Sequence, residues 1–262
     1  MDNLNTEEIK ALLENSVFSK NIILHQSIPS TNNIARELYM QGAGDGTVIL
    51  AEEQTAGRGR MDRKWLSPAY KNILISILLK PAMKVEKIYT LTLALAIAGI
   101  DAINDLKGLL PMIKWPNDIY LNNKKLAGIL TEFRVRGNEP DYVILGMGLN
   151  VNWNPENEKG ILFPSTSILK ETGNVTSRNE LIAEILRRFE KIYTEILNEN
   201  LEEFYYRVNR LSLLTGREIS VDTGSEKIRG RAIGIDKEGA LILEGQDGNV
   251  KKILNGDVSI NF

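Results

Sequence analysis

Residues 112–135 read M-I-K-W-P-N-D-I-Y-L-N-N-K-K-L-A-G-I-L-T-E-F-R-V. Two strand-like runs, 112–121 and 125–135, flank Asn122 and Asn123. Asparagine tolerates positive φ better than most residues, so the pair is a turn signal and the stretch predicts a β-hairpin. Antiparallel pairing then enters the fold at this point, which excludes an all-parallel sheet. Working outward, 22–26, 47–51, 72–80 and 142–151 also read as apolar strands. Helices are expected at 6–15, from Ser30 or Thr31 to Met40 with Gly42 ending it, and at 88–106. Residues 177–213 read as mainly helical. The 88–106 segment is apolar nearly all round and belongs in a core. Near Thr215 the character changes to short strands punctuated by D-T-G, D-K-E-G, Q-D-G-N and N-G-D, the pattern of a small β-barrel or sandwich. The fold class is therefore α+β: a mixed or antiparallel sheet with helices on one side over residues 1–214, then a small β-domain over 215–262.

Composition narrows the chemistry. Net charge is -2, so any polyanion site is local rather than a whole-domain basic face. The chain has no cysteine, which removes disulfides, thiolate metal sites and cysteine nucleophiles. It has one histidine, His25, near the end of the first strand. A histidine metal cluster is excluded, and a Ser-His-Asp triad would have to use that strand residue. Chemistry carried by cations and backbone dipoles is what remains, the profile of phosphoryl or nucleotidyl transfer. The N-terminus has no signal-peptide pattern. The most apolar window, 91–100, is too short to span a bilayer.

The cations collect in Q-T-A-G-R-G-R-M-D-R-K-W, residues 54–65. Arg58, Arg60, Arg63 and Lys64 can grip phosphate or carboxylate. Gly57 and Gly59 let backbone N–H groups approach an anion, and Trp65 offers a stacking plane. Either this is an anion site or a solvated loop. Within K-W-P-N-D, Lys114, Asn117 and Asp118 are either a turn with surface polars or a site in which Asp118 holds magnesium. Strand alternation puts Lys125 and Ala127 on one face, Leu126 and Gly128 on the other. Gly146 and Gly148 in G-M-G-L-N are no dinucleotide fingerprint, because no helix follows. They make room for a flat ligand or for packing, and Asn150 can pair with a base edge. Ser30, Thr31 and Asn32 are first a helix N-cap and second a set of partners for a small polar ligand. Lys227, Arg229 and Arg231 share a strand face, solvated or phosphate-binding.

Taken in order, S-T-N (30–32), E-Q-T-A-G-R-G-R-M-D-R-K-W-L-S-P (53–68), K-W-P-N-D-I-Y (114–120), K-L-A-G-I-L (125–130) and G-M-G-L-N (146–150) resemble the biotin protein ligases. The resemblance covers the catalytic domain and extends to the small C-terminal domain. It implies a catalytic domain like that of class II aminoacyl-tRNA synthetases, followed by an SH3-like barrel. It also implies two steps: biotin and ATP give biotinyl-5′-AMP and pyrophosphate, then a lysine of a biotin carboxyl carrier domain takes the biotin. Carried onto this chain, Ser30, Thr31 and Gln54 would bond the ureido ring, with Asn32 beside them and Gly57 and Arg58 adding backbone groups. Arg60 and Lys125 would neutralise the carboxylate and α-phosphate, joined catalytically by Asp118 and Lys114. Arg58 and Arg63 would hold the triphosphate. Trp65 would stack on adenine, Asn150 would read its edge, and Asn117 would line the ATP site. Asp118 would place magnesium, and Gly128 and Gly148 would clear the biotin floor.

The resemblance further implies a cytoplasmic enzyme, a homodimer joined through a sheet edge, and no membrane. A monofunctional ligase that binds no DNA is expected, because about one helix precedes the catalytic core. The competing readings are a biotin-responsive DNA-binding regulator and a lipoate-protein ligase. The like-charged 54–65 loop is expected to move freely until a ligand neutralises it.

Overall fold

The structure is a computed structural model that describes residues 3–158, 160–161, 163–199 and 201–260. The chain runs α1 (Thr6–Leu13), β1 (Ile22–Ile28), α2 (Thr31–Met40), β2 (Thr47–Gln54), β3 (Ile73–Leu79) and α3 (Ile88–Lys107). It continues through β4 (Met112–Lys114), β5 (Asp118–Leu121), β6 (Lys124–Arg136), β7 (Glu139–Leu149), α4 (Ile168–Thr172), α5 (Arg178–Leu197) and α6 (Glu202–Arg210). Five short strands follow: β8 (Glu218–Asp222), β9 (Lys227–Ile235), β10 (Leu241–Glu244), β11 (Val250–Ile253) and β12 (Asp257–Ile260).

Seven strands form one sheet in the order β1-β2-β3-β7-β6-β5-β4. β1 and β2 are parallel, and the remaining neighbours pair antiparallel. The hairpin turn lies where the asparagines put it: Asn122 and Asn123 have φ of 49° and 61°. Alternation along the strands makes two faces. Val48, Leu50, Ile75, Ile77, Leu145 and Met147 share the main core with α3 and α5. Ile49, Ala51, Leu74, Leu78 and Ile144 form a smaller cluster with Ile34 and Leu38 of α2. The long helices thus cover one face, and α2 stands alone at one end of the other. That leaves part of a sheet face uncovered by helix, and the candidate site occupies it.

The segment Val85–Lys107 is long and apolar enough to cross a membrane, longer than the 91–100 window suggested. Most of it is buried inside the fold, where it covers the sheet.

The second sheet has order β11-β10-β9-β8-β12 and is antiparallel throughout. Its inner residues, among them Val221, Ala232 and Leu243, belong to the same continuous core as α3 and α5. Polar ties add direction. Trp115 Nε1 donates to the Gly239 carbonyl (2.9 Å), and Asn209 exchanges two hydrogen bonds with the Ile235 backbone (2.7 and 2.9 Å). A buried ion pair ties α5 to β2: Arg178 meets Glu52 at 2.6 Å and donates to the Asn72 carbonyl, while Glu52 accepts from Leu4 N–H. Removing one member of such a pair strands a charge in the core, at a cost of about 3–5 kcal/mol.

Candidate active site

Register explains why distant motifs meet. Lys114 lies opposite Asp118, Asp118 opposite Gly128, Gly128 opposite Gly148, and Gly148 opposite Leu74. One cross-strand row therefore joins K-W-P-N-D, K-L-A-G and G-M-G-L-N. The next row joins Leu130, Gly146 and Ser76. The Trp115–Pro116 peptide is cis, and Pro116 lies in the turn between β4 and β5 rather than within a strand.

Strict alternation misplaces Lys125. Ile119 pairs with Ala127 but Tyr120 pairs with Lys125, so Leu126 is an extra residue in a β-bulge. A bulge breaks the two-residue period. It brings Lys125 to the side of Gly128 and Asp118, with Nζ 2.7 Å from Asp118 Oδ1. A Cβ on Gly128 would stand 3.2 Å from the Lys125 ammonium.

The glycines make room, but for this chain's own side chains. A Cβ on Gly148 would fall 2.3 Å from Trp65 Cε2, and one on Gly128 would fall 3.2 Å from Trp65 Cζ3. The indole lies across both. A Cβ on Gly146 would fall 2.1 Å from Asn32 Oδ1. The sheet surface thus seats Trp65 and Asn32, and these form the floor of the cavity. Gly57 has a separate duty: a Cβ there would meet the Trp65 carbonyl at 2.6 Å, where Trp65 N–H donates to Gly57 O (2.9 Å). The 54–65 loop is a tight hairpin with Met61 and Asp62 at positive φ on its tip.

Nor are its arginines free. Arg58 pairs with Glu132 at 2.9 Å and donates to Asn33 Oδ1. Arg63 pairs with Asp257, and Arg60 reaches Asn117 Oδ1 (3.3 Å) and Asn255 Oδ1. The expectation of a freely moving loop counted its charges without these partners, two of which come from the C-terminal sheet and its approach. Lys114 lies among Asp118, Lys125, Asp257 and Arg63. Burial lowers its pKa, more than Asp118 raises it.

A cavity of about 330 Å³ joins these groups. One end is neutral: Ser30, Thr31, Asn32 and Gln54. Ser30 occupies the N-cap position of α2 but makes no side-chain cap bond. Thr31 N–H donates to Gln54 Oε1 (2.8 Å), and Asn32 Nδ2 donates to Glu132 (2.8 Å). The other end carries Arg60, Arg63, Lys114 and Lys125. Asn150 Nδ2 donates to the Thr166 carbonyl, while Asn150 Oδ1, Trp65 Nε1 and Trp153 Nε1 are buried with no hydrogen-bond partner among the described residues. Buried polar atoms are rarely left so, and these three mark where a ligand with its own donors and acceptors fits. His25, on β1, takes no part in the lining. Sequence reasoning missed Glu132, Ser76, Trp153 and Asp257. A serine alone in the apolar run I-L-I-S-I-L-L was the signal for Ser76.

Residues 24–150 match the model of the biotin/lipoate A/B protein ligase family, and residues 214–260 match that of the biotin protein ligase C terminal domain. The bifunctional ligase/repressor BirA of Bacillus subtilis is 35% identical over 98% of this chain and 79% of its own length. The biotin–[acetyl-CoA-carboxylase] ligase of Mycobacterium tuberculosis is 34% identical over 82% of this chain and 79% of its own. The biotin protein ligase of Aquifex aeolicus, solved with biotin and ATP, superposes with a TM-score of 0.80 at 30% identity, covering 92% of this chain and 99% of that one. The chain belongs to the biotin protein ligase family, and it is a ligase.

Proposed function

We propose that this ligase activates biotin with ATP to biotinyl-5′-AMP, releasing pyrophosphate, and passes the biotin to one lysine of a biotin carboxyl carrier domain. One observation carries the reading: the Lys125–Asp118 ion pair beside Trp65, at the cationic end of a cavity whose other end is neutral and hydrogen-bonding. In this reading Ser30, Thr31, Asn32 and Gln54 take the ureido ring, with Gly57 and Arg58 beside them. Trp65, seated on Gly128 and Gly148, stacks on adenine, and Asn150 Oδ1 accepts from its exocyclic amine. Arg60 and Lys125 meet the carboxylate and α-phosphate, where negative charge builds as the carboxylate oxygen attacks. Arg63 and Lys114, with Arg58 released from Glu132, take the outer phosphates.

Magnesium fits this donor set as an ion shared with phosphate. Asp118 supplies a carboxylate, and such an ion commonly keeps one or two carboxylates and completes its shell with substrate and water. It would supply charge neutralisation of the phosphates.

We assign residues 1–214 to catalysis and 215–262 to a small β-domain that shares their core, supported by the second sheet beginning at Glu218. Self-association would use the edge of β1, which pairs with β2 on one side only. We place the reaction in the cytoplasm, consistent with a chain free of cysteine. We assign α1 no role in DNA recognition: it opens with Glu7 and Glu8 and packs on α5, so it offers no basic recognition face.

The test is acceptor labelling. With biotin, ATP, magnesium and a carrier domain, mass spectrometry should find one biotin on one lysine. No mass gain on an acceptor that another ligase does label would sink the proposal. A second measurement probes the C-terminal wall. Asp257→Asn should raise the KM for ATP about two- to fivefold, the scale of a half-exposed ion pair, and leave that for biotin unchanged.

A further inference from the structure

Ser76 lies mid-strand in β3 and is fully buried. Its Oγ is 2.6 Å from Asn32 Oδ1 and 2.7 Å from Thr31 Oγ1. Thr31 Oγ1 is also 3.0 Å from Gln54 Oε1. Three oxygen–oxygen contacts share two hydroxyl protons, and the two shortest, 2.6 and 2.7 Å, have the stronger claim on them. Asn32 Nδ2 faces the Glu132 carboxylate and the Leu130 carbonyl, both acceptors, so the amide cannot be reversed. Its Oδ1 then points at Ser76 and can only accept. Ser76 has one proton, and Asn32 takes it. The Thr31 proton then has two acceptors to choose from, Ser76 Oγ at 2.7 Å and Gln54 Oε1 at 3.0 Å, and the shorter contact takes it. Gln54 Oε1 is already served by the Thr31 N–H. The remaining lone pair of Thr31 Oγ1, at the neutral end of the cavity, is left as an acceptor.

We propose that Ser76 is a positioning residue that fixes the polarity of the Thr31 hydroxyl and so makes the neutral end select a ligand bringing an N–H donor. The proposal rests on the biotin reading above and adds a basis for discrimination within the family. A cyclic urea carries N–H groups. A dithiolane carries none, and would leave the buried acceptor unpaired. Rejection of a ligand that lacks a required hydrogen-bonding group is far steeper than rejection by shape alone.

Adenylate formation by the full chain tests it, comparing biotin with analogues that carry CH₂ in place of each ureido N–H in turn. Wild type should prefer biotin over one of these by about a hundredfold in kcat/KM. In Ser76→Ala the Thr31 proton is released to Gln54. The KM for biotin should then rise about tenfold with kcat and the KM for ATP within about twofold, and the preference should fall to about tenfold. Ser76→Cys, which keeps the size and a weaker donor, should give an intermediate preference. It also serves if the alanine variant does not fold. An unchanged preference in both variants, with KM raised equally for biotin and analogue, would reduce Ser76 to a packing residue and overturn the proposal. Failure of the wild type to adenylate biotin would instead strike the functional reading itself.

Discussion

Lys125→Ala should lower the rate of biotin adenylation by about a hundredfold or more, the usual scale for removing a charged group that meets the transition state. The substitution removes the cation facing the reacting oxygens, and it leaves Asp118 as an unpaired carboxylate where an anionic phosphate must come. Both effects oppose the reaction. Lys125→Arg should not restore the rate. A planar fork would hold Asp118 sidewise and stack on Trp65, which lies 5.7 Å from Nζ, rather than present a compact ammonium to the reacting oxygens. Arg60→Ala should match the alanine defect at Lys125, because Arg60 approaches from the loop side and bridges Asn117 to the C-terminal segment. Pyrophosphate release with biotin and ATP is the measurement. Near-normal release by either alanine variant would remove that residue from the mechanism.

Much of this was legible because hairpins and glycines are local signals. Asn122 and Asn123 announced the turn, and the glycine-arginine loop showed where cations gather, which is one wall of the cavity. What stayed hidden was register. Lys114, Asp118, Gly128 and Gly148 form one row only because four strands pair in a particular alignment. A single inserted residue, Leu126, reverses the face of Lys125, and no alternation rule foresees a bulge. Counter-charges were hidden for a related reason. Glu132 and Asp257 lie 74 and 194 positions from the arginines they neutralise, so a count of like charges along the loop suggested more repulsion than the fold contains. The glycines were read as clearings for a ligand or for packing, and in the fold side chains of the chain itself lie over them. Their occupants are Trp65 and Asn32, and the ligand is expected to meet those.

That placement yields a sharp expectation. Gly148→Ala should raise the KM for ATP about tenfold to a hundredfold, because the new methyl lands 2.3 Å from Trp65 Cε2 and must lift the indole from its seat. Base–aromatic stacking contributes about 1–3 kcal/mol, and a displaced platform forfeits most of it. The three glycines should separate by position. Gly128→Ala meets the same ring and the end of Lys125 at 3.2 Å, a contact that small adjustments relieve, so its effect on ATP should stay within a fewfold. Gly146→Ala collides with Asn32 Oδ1 at 2.1 Å and should act on biotin instead, since Asn32 is held by Ser76, Leu130 and Glu132 and has no slack to give. Steady-state kinetics with each substrate varied in turn reads all three. A Gly148→Ala enzyme with its ATP affinity intact would mean that the adenine does not rest on Trp65. A Gly146→Ala defect confined to ATP would mean that the two ends of the cavity have been assigned in reverse.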